Sequence, residues 1–292
     1  MKRPAAGFTL VELIIVMVIT GIIAGILSMM LGPAFQSYAS VARRANLTQQ
    51  ADTALRRIVT DARVSVPNSL RVFTPTSGPG CVEMVPTSTG GRFRVDADPA
   101  GNSYPLDLNQ PGATFDVLTS LNPLPAAGDW VVIGNQNTAD LYASASATRE
   151  QIASMVTPAP SALGQHRITL ASSKQFPYGY EGGRFGIVPD AQQAVTYYCA
   201  NTGRDATGSG TGTLYRYSHY GFVPAQTTCQ PTSTNPALVS RVVATKVERC
   251  TFIYSPTGGA TQQSGFVQLQ MMLSDNGESV TLTVGAQVEN VP

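Results

Sequence analysis

The chain has 292 residues, 19 Lys/Arg against 18 Asp/Glu, and a net charge of +1. That balance lacks the basic excess of a dedicated nucleic-acid binder, and no nucleic-acid partner is expected. Charge is unevenly placed: seven Lys/Arg face three Asp/Glu up to residue 66, and twelve face fifteen beyond it.

The first element is the N-terminal stretch. Lys2 and Arg3 sit in a short leader ending at Gly7. Phe8-Thr9-Leu10-Val11-Glu12 follows, then an unbroken apolar run from Leu13 to Leu31. Such a run of about 19 residues spans the hydrocarbon of a bilayer at 1.5 Å per residue. A carboxylate at the lip of that run costs roughly 2.5–3.5 kcal/mol on insertion scales, so Glu12 calls for a cationic partner. Cutting between Gly7 and Phe8 would supply one as a free α-amine. A secretory signal peptide would instead be cut after its apolar stretch at an A-x-A-like site, and Leu31-Gly32-Pro33-Ala34 is a poor match. A plain signal anchor explains the length of the run but neither Glu12 nor the clipped leader. Lys2 and Arg3 keep the N-terminus cytoplasmic, so the remainder is exported.

A second helical pattern follows. Val41, Ala45, Leu55, Val59, Ala62 and Val66 recur near a 3.5-residue spacing, with Arg43, Arg44, Gln49, Gln50, Arg56, Arg57 and Asp61 on the other faces. Pro67 closes the pattern. Continuous helix over 8–66 would be roughly 90 Å long, with a kink expected at Gly32-Pro33.

Beyond Pro67 about 225 residues remain, enough for a sizeable core. Strands are expected at Cys81–Val85, Thr114–Leu118, Trp130–Gly134, His166–Ala171, Gly183–Val188, Ala194–Cys199, Leu214–Tyr220, Leu238–Tyr254, Phe266–Ser274 and Ser279–Val288. The segment around Leu238–Tyr254 is long enough for more than one strand. The last two form a hairpin, because apolar residues alternate with polar ones on both sides of Asn276-Gly277. Thr202–Gly212 and Thr227–Asn235 are expected loops.

The residues from Gly7 to Glu12 and the apolar run resemble the class III signal of type IV prepilins and pseudopilins. That resemblance implies cleavage after Gly7 by a prepilin peptidase and N-methylation of Phe8. It also implies that Glu12 pairs with a neighbouring subunit's amine during assembly. Downstream blocks are similar to the MshO family of minor pilins of the mannose-sensitive haemagglutinin (MSHA) type IV pilus. They are Ala51–Arg57, Val66–Val72, Gly90–Arg94, Phe115–Leu118, Arg184–Pro189, Tyr197–Cys199, Leu214–Tyr217 and Tyr220–Phe222. The implied fold is α+β: a leader over 1–7, a helix over 8–66 and an antiparallel β-rich head over 67–292. Within the helix, about 8–31 span the membrane and about 34–66 are amphipathic. The implied partners are other minor and major pilins, the inner-membrane assembly platform and, before assembly, membrane lipid. The implied location is the inner membrane with the head in the periplasm, then the pilus. A minor pseudopilin of a type II secretion system is the alternative, and a pilus-tip adhesin a further one.

The four cysteines allow three full pairings in an oxidising compartment. Cys199–Cys229 would close a loop around the Leu214–Phe222 segment, worth on the order of 3–4 kcal/mol. Cys81 and Cys250 each open an apolar stretch and form the second candidate pair or remain buried thiols. No C-x₂₋₄-C spacing suggests zinc, and no metal or other cofactor is expected. Catalysis has little support. His166 and His219 are the only histidines, the carboxylates are scattered, and no Gly-rich stretch has the setting of a phosphate loop. The aromatic segments Phe176–Tyr180 and Tyr215–Phe222 read as packing residues or, alternatively, a sugar-binding platform.

Overall fold

The computed structural model describes residues 7, 9–75, 78–157, 164–178, 182–225, 227–231, 237–259 and 264–290. A 54-residue helix α1 (Leu10–Arg63) leads into strands β1 (Arg71–Phe73), β2 (Cys81–Met84), β3 (Thr89–Arg92), β4 (Gly112–Val117) and β5 (Trp130–Val132). A short helix α2 (Thr138–Tyr142) follows, then β6 (Arg149–Val156), β7 (His166–Lys174), β8 (Arg184–Val188) and a 3₁₀ turn (Asp190–Gln192). The chain ends in β9 (Val195–Ala200), β10 (Gly212–Ser218), β11 (Val239–Ser255), β12 (Ser264–Asp275) and β13 (Glu278–Glu289).

Two antiparallel sheets result. The larger has the order β1-β2-β9-β10-β11-β12-β13, and the smaller β3-β8-β5-β6-β7-β4. The smaller sheet closes on itself. Phe93 bridges to Val117, Arg94 N donates to Asp116 O at 2.8 Å, and Leu118 N donates to Arg92 O at 2.8 Å. Full closure removes free edges. Its interior is filled by Phe93, Phe115, Val131, Ile152, Ile168, Phe185 and Ile187 among others.

Helix α1 lies along one face of the larger sheet. Leu47, Ala51, Ala54, Leu55, Ile58, Val59 and Ala62 pack on Tyr197, Leu214, Val267, Leu269, Met271 and Val288. The observed stripe corrects the expected one at its start, since Val41 and Ala45 are exposed. The sheet ends at that level: its last hairpin turn brings Glu278 into an ion pair with Arg44. Among the described residues no strand lies further along for Val41 to pack on. The opposite face of β2, β9 and β10 meets the smaller sheet through Tyr142, Val132, Val188, Tyr217 and Tyr220.

The β12–β13 hairpin forms as its alternation requires. Val267, Leu269, Met271 and Leu273 are buried, and Asn276 and Gly277 take φ of 49° and 86° at the turn. The expected break within Leu238–Tyr254 is absent, and one 17-residue strand runs through it. A register shift between Val247 and Arg249, with Lys246 at φ 58°, absorbs the bend. The short strands β1 and β3, the strand β6 and helix α2 went unread. Helix α1 stops at Arg63, short of residue 66, and runs unbroken past Pro33.

The disulfides correct both expected pairings. Cys81 bonds Cys229 with Cα atoms 5.5 Å apart, and Cys199 bonds Cys250 at 6.5 Å. Strand parity explains it. Cys81 stands opposite Tyr198, so its neighbour Val82 shares a face with Tyr197 against α1. Cys81 therefore points to the far face, where residue 229 arrives, while Cys199 points into the core beside Leu214. Cys199 and Cys229 lie on opposite faces and cannot meet. Gly212 lets β10 approach β11 closely, because a Cβ there would stand 2.5 Å from Val247 O. Non-reducing peptide mapping is expected to link Cys81 to Cys229 and Cys199 to Cys250. A Cys199–Cys229 peptide would overturn the register. Each bridge closes a long loop, worth about 4–5 kcal/mol in the chain-entropy account.

Candidate functional site: the N-terminal helix and its anchorage

Thr9 starts the helix. Its backbone is extended (φ −81°, ψ 150°), and its hydroxyl accepts from Glu12 N at 3.3 Å. Thr9-x-x-Glu12 has capping-box spacing, a local signal that the sequence reading passed over. Glu12 thus has two local roles: it donates its amide to the cap, and it brings negative charge to the positive end of the helix dipole. Gly7 precedes the cap; Phe8 lies outside the described residues.

From Leu10 to Leu31 every large apolar side chain is exposed, Leu10 at 74% and Ile23 at 50%. The most apolar 18-residue window has mean hydropathy 2.8 and buries none of its residues. An uncovered patch of that extent marks a membrane or protein contact. Polar side chains within the run bond back along the helix: Thr20 Oγ1 to Val16 O, and Ser28 Oγ to Gly25 O at 2.9 Å. Hydrocarbon offers no other partner for such groups. Helix α1 therefore divides in two, a naked apolar half and a half held by the sheet.

What holds the second half includes charge. Asp61, expected on a face other than the apolar one, is buried against the sheet. Its Oδ2 accepts from Tyr197 Oη at 2.7 Å and from Arg216 Nε at 2.9 Å. Arg216 is itself only 7% exposed and donates on to Gln192 Oε1 at 2.8 Å. Burial and the adjoining Asp61 carboxylate push the Tyr197 hydroxyl well above its ordinary range. The three groups form a polar pin through an apolar interface. A helical pattern containing one aspartate does not announce this, because its partner stands 155 residues away.

Two further buried pairs brace the head. Glu83 pairs with Arg71 and accepts from Tyr220 Oη at 2.6 Å. Burial pushes the Glu83 carboxyl up, and Arg71 opposes the shift. Asp116 pairs with Arg167 at 2.6 Å on the outer side of the smaller sheet, since the alternate residues Phe115 and Ile168 take the inner side. Arg149 lies over Trp130 and Phe222 and donates to Leu141 O at 2.8 Å, and burial lowers its pKa to about 10.

The remaining candidates are structural. His166 is buried and its Nε2 accepts from Leu121 N at 3.3 Å. His219 stands 3.5 Å from Asp190. Phe176, Tyr217 and Tyr220 are buried, and Phe222 packs edge-on against Trp130 and Tyr142, so most of the aromatic residues serve the core. A cleft of about 280 Å³ opens where α1 ends, lined by Arg63, Pro67, Asn135, Arg184, Phe185 and Glu289 among others. Its charges are of mixed sign and include no nucleophile–base pair. Among the described residues no cluster of three metal-capable side chains occurs.

No curated protein and no solved structure matches the chain. Residues 2–28 match the family described as the prokaryotic N-terminal methylation motif. Together with the long apolar helix and the antiparallel head behind it, that motif indicates a type IV pilin- or pseudopilin-like protein.

Proposed function

We propose that this protein is a minor pilin of an MSHA-type type IV pilus, acting in initiation, assembly or the tip complex. The observation that carries the reading is one carboxylate, Glu12, at the first turn of a helix whose first half is otherwise uncharged and exposed, inside the methylation motif. Residues 1–7 are the leader, which a prepilin peptidase removes after Gly7. The new Phe8 amine is methylated. The helix holds the subunit in the inner membrane with the head in the periplasm, surrounded by lipid, until the assembly platform draws it into a bundle of pilin helices. Glu12 then meets the Phe8 amine of an adjacent subunit. The role is structural and non-enzymatic, and calls for no cofactor. The MSHA assignment rests on the sequence blocks from Ala51 to Phe222. A minor pseudopilin of a type II secretion system would share the helix chemistry.

Two experiments test the reading. Sheared MSHA pili are expected to contain this chain at low stoichiometry beside the major pilin, and its deletion is expected to reduce piliation. Normal piliation without it, coupled with loss of type II secretion, would favour the pseudopilin. For processing, Gly7→Val should leave the leader attached and exclude the chain from filaments, since a branched side chain does not fit a small-residue subsite. Normal trimming of Gly7→Val would contradict that part of the account.

A further inference from the structure

The larger sheet has two ends, and they differ. At one, β1 is three residues long, and the segment that follows β10 is tied beside it by Cys81–Cys229 and by Arg71, which donates to the Val223 and Pro224 carbonyls. At the other end, β13 is twelve residues long and pairs only with β12. No described segment pairs with its outer side.

The register shows which groups that side offers. Asp275 and Glu278 close a two-residue turn, and the pairing runs from there to Ser264–Glu289 without a shift. Alternate residues from Glu278 onward therefore bond to β12. Ser279, Thr281, Thr283, Gly285, Gln287 and Glu289 turn their backbone N–H and C=O outward. Ser279–Val288 holds ten residues with no charge, no proline and no bulge. Soluble proteins normally protect a long edge with such devices. At Gly285 the ring of Phe266 fills the space over the missing side chain.

Helix α1 decides what can pair. Arg44 meets Glu278, while Arg63 and Glu289 line one cleft, so α1 and β13 run side by side in the same direction. Two copies pairing β13 antiparallel would hold their α1 helices antiparallel, which two chains inserted the same way in one membrane cannot do. Every neighbouring pair in the sheet is antiparallel, so β1 points the same way as β13. A head-to-tail copy would then offer only a three-residue parallel contact.

We propose that β13 is the docking edge for a strand from a different pilin-like subunit, one that runs opposite to that subunit's own N-terminal helix. This rests on the pilin reading. The added strand extends the sheet by backbone hydrogen bonds while both helices stay parallel in the bundle.

The test uses the full chain in its native membrane, with a photo-crosslinking amino acid at Gln287 and mass-spectrometric identification of the partner peptide. The expected product joins residue 287 to a head strand of another protein carrying the N-terminal methylation motif. Thr283→Pro removes an outward N–H without touching a β12 bond and should lower that product about tenfold or more, while Thr283→Val leaves it unchanged. Recovery of both disulfides shows that the proline variant is folded. Should it not be, Gln287→Pro, with the crosslinker moved to Thr281, takes its place. A product with a second copy of this chain or with a protein lacking the motif, or one indifferent to proline, overturns the proposal. So does no product at all. The N-terminal mass of the same sample separates the two failures. A methylated Phe8 without the crosslink sinks the docking edge alone, and an uncut leader sinks the pilin reading.

Discussion

Glu12→Ala is expected to insert in the membrane and lose its leader normally, yet to enter filaments at less than a tenth of the wild-type level. In the proposed bundle the carboxylate would be surrounded by the apolar side chains of Leu10–Leu31, which are exposed in the single chain. Removing one member of a buried, hydrogen-bonded charge pair costs about 2–5 kcal/mol, and 1.4 kcal/mol is already tenfold. The loss falls on assembly, since among the described residues Glu12 meets only the helix cap. Glu12→Asp keeps the charge with shorter reach and should fall between. Quantitative immunoblotting of sheared pili against total membrane protein measures the ratio. Wild-type recovery of Glu12→Ala would show that the charge does not direct this subunit's assembly.

The second large effect is expected at Asp61. Asp61→Ala leaves Arg216 charged and buried under α1 and leaves the Tyr197 hydroxyl without its acceptor. Breaking such a pair costs about 3–5 kcal/mol, or on the order of 10 °C in the melting temperature of a head this size. Replacing the whole cluster by apolar groups, as Asp61→Leu with Tyr197→Phe and Arg216→Met, should restore most of that loss. Thermal unfolding of the detergent-solubilised chain gives the comparison. A triple variant no better than Asp61→Ala would mean that the cluster stabilises by more than mutual satisfaction of buried polar groups. The cluster ties the C-terminal end of α1 to the sheet.

What could be read in advance follows from range. Gly7, Thr9 and Glu12 sit within six residues of one another, and the apolar run is continuous, so anchor and signal show in the sequence. The β12–β13 hairpin shows because its turn and its alternation are local. The disulfides did not, because their pairing depends on which face of β2 and β9 each cysteine takes, and a shift of one residue reverses the face. Helical periodicity sets Asp61 off the apolar face and carries no information about Arg216. Closure of the smaller sheet depends on Phe93 meeting Val117, and Phe93 follows Gly90-Gly91 in a stretch with a weak strand signal.

The central claim is that Gly7–Glu12 is a prepilin signal, and the mass of the mature N-terminus tests it most directly. Intact-mass and N-terminal peptide analysis of chain recovered from membranes should find residue 8 first, as N-methylphenylalanine. A mature chain beginning near residue 34, after the apolar run, would identify an ordinary secretory signal peptide and contradict the account.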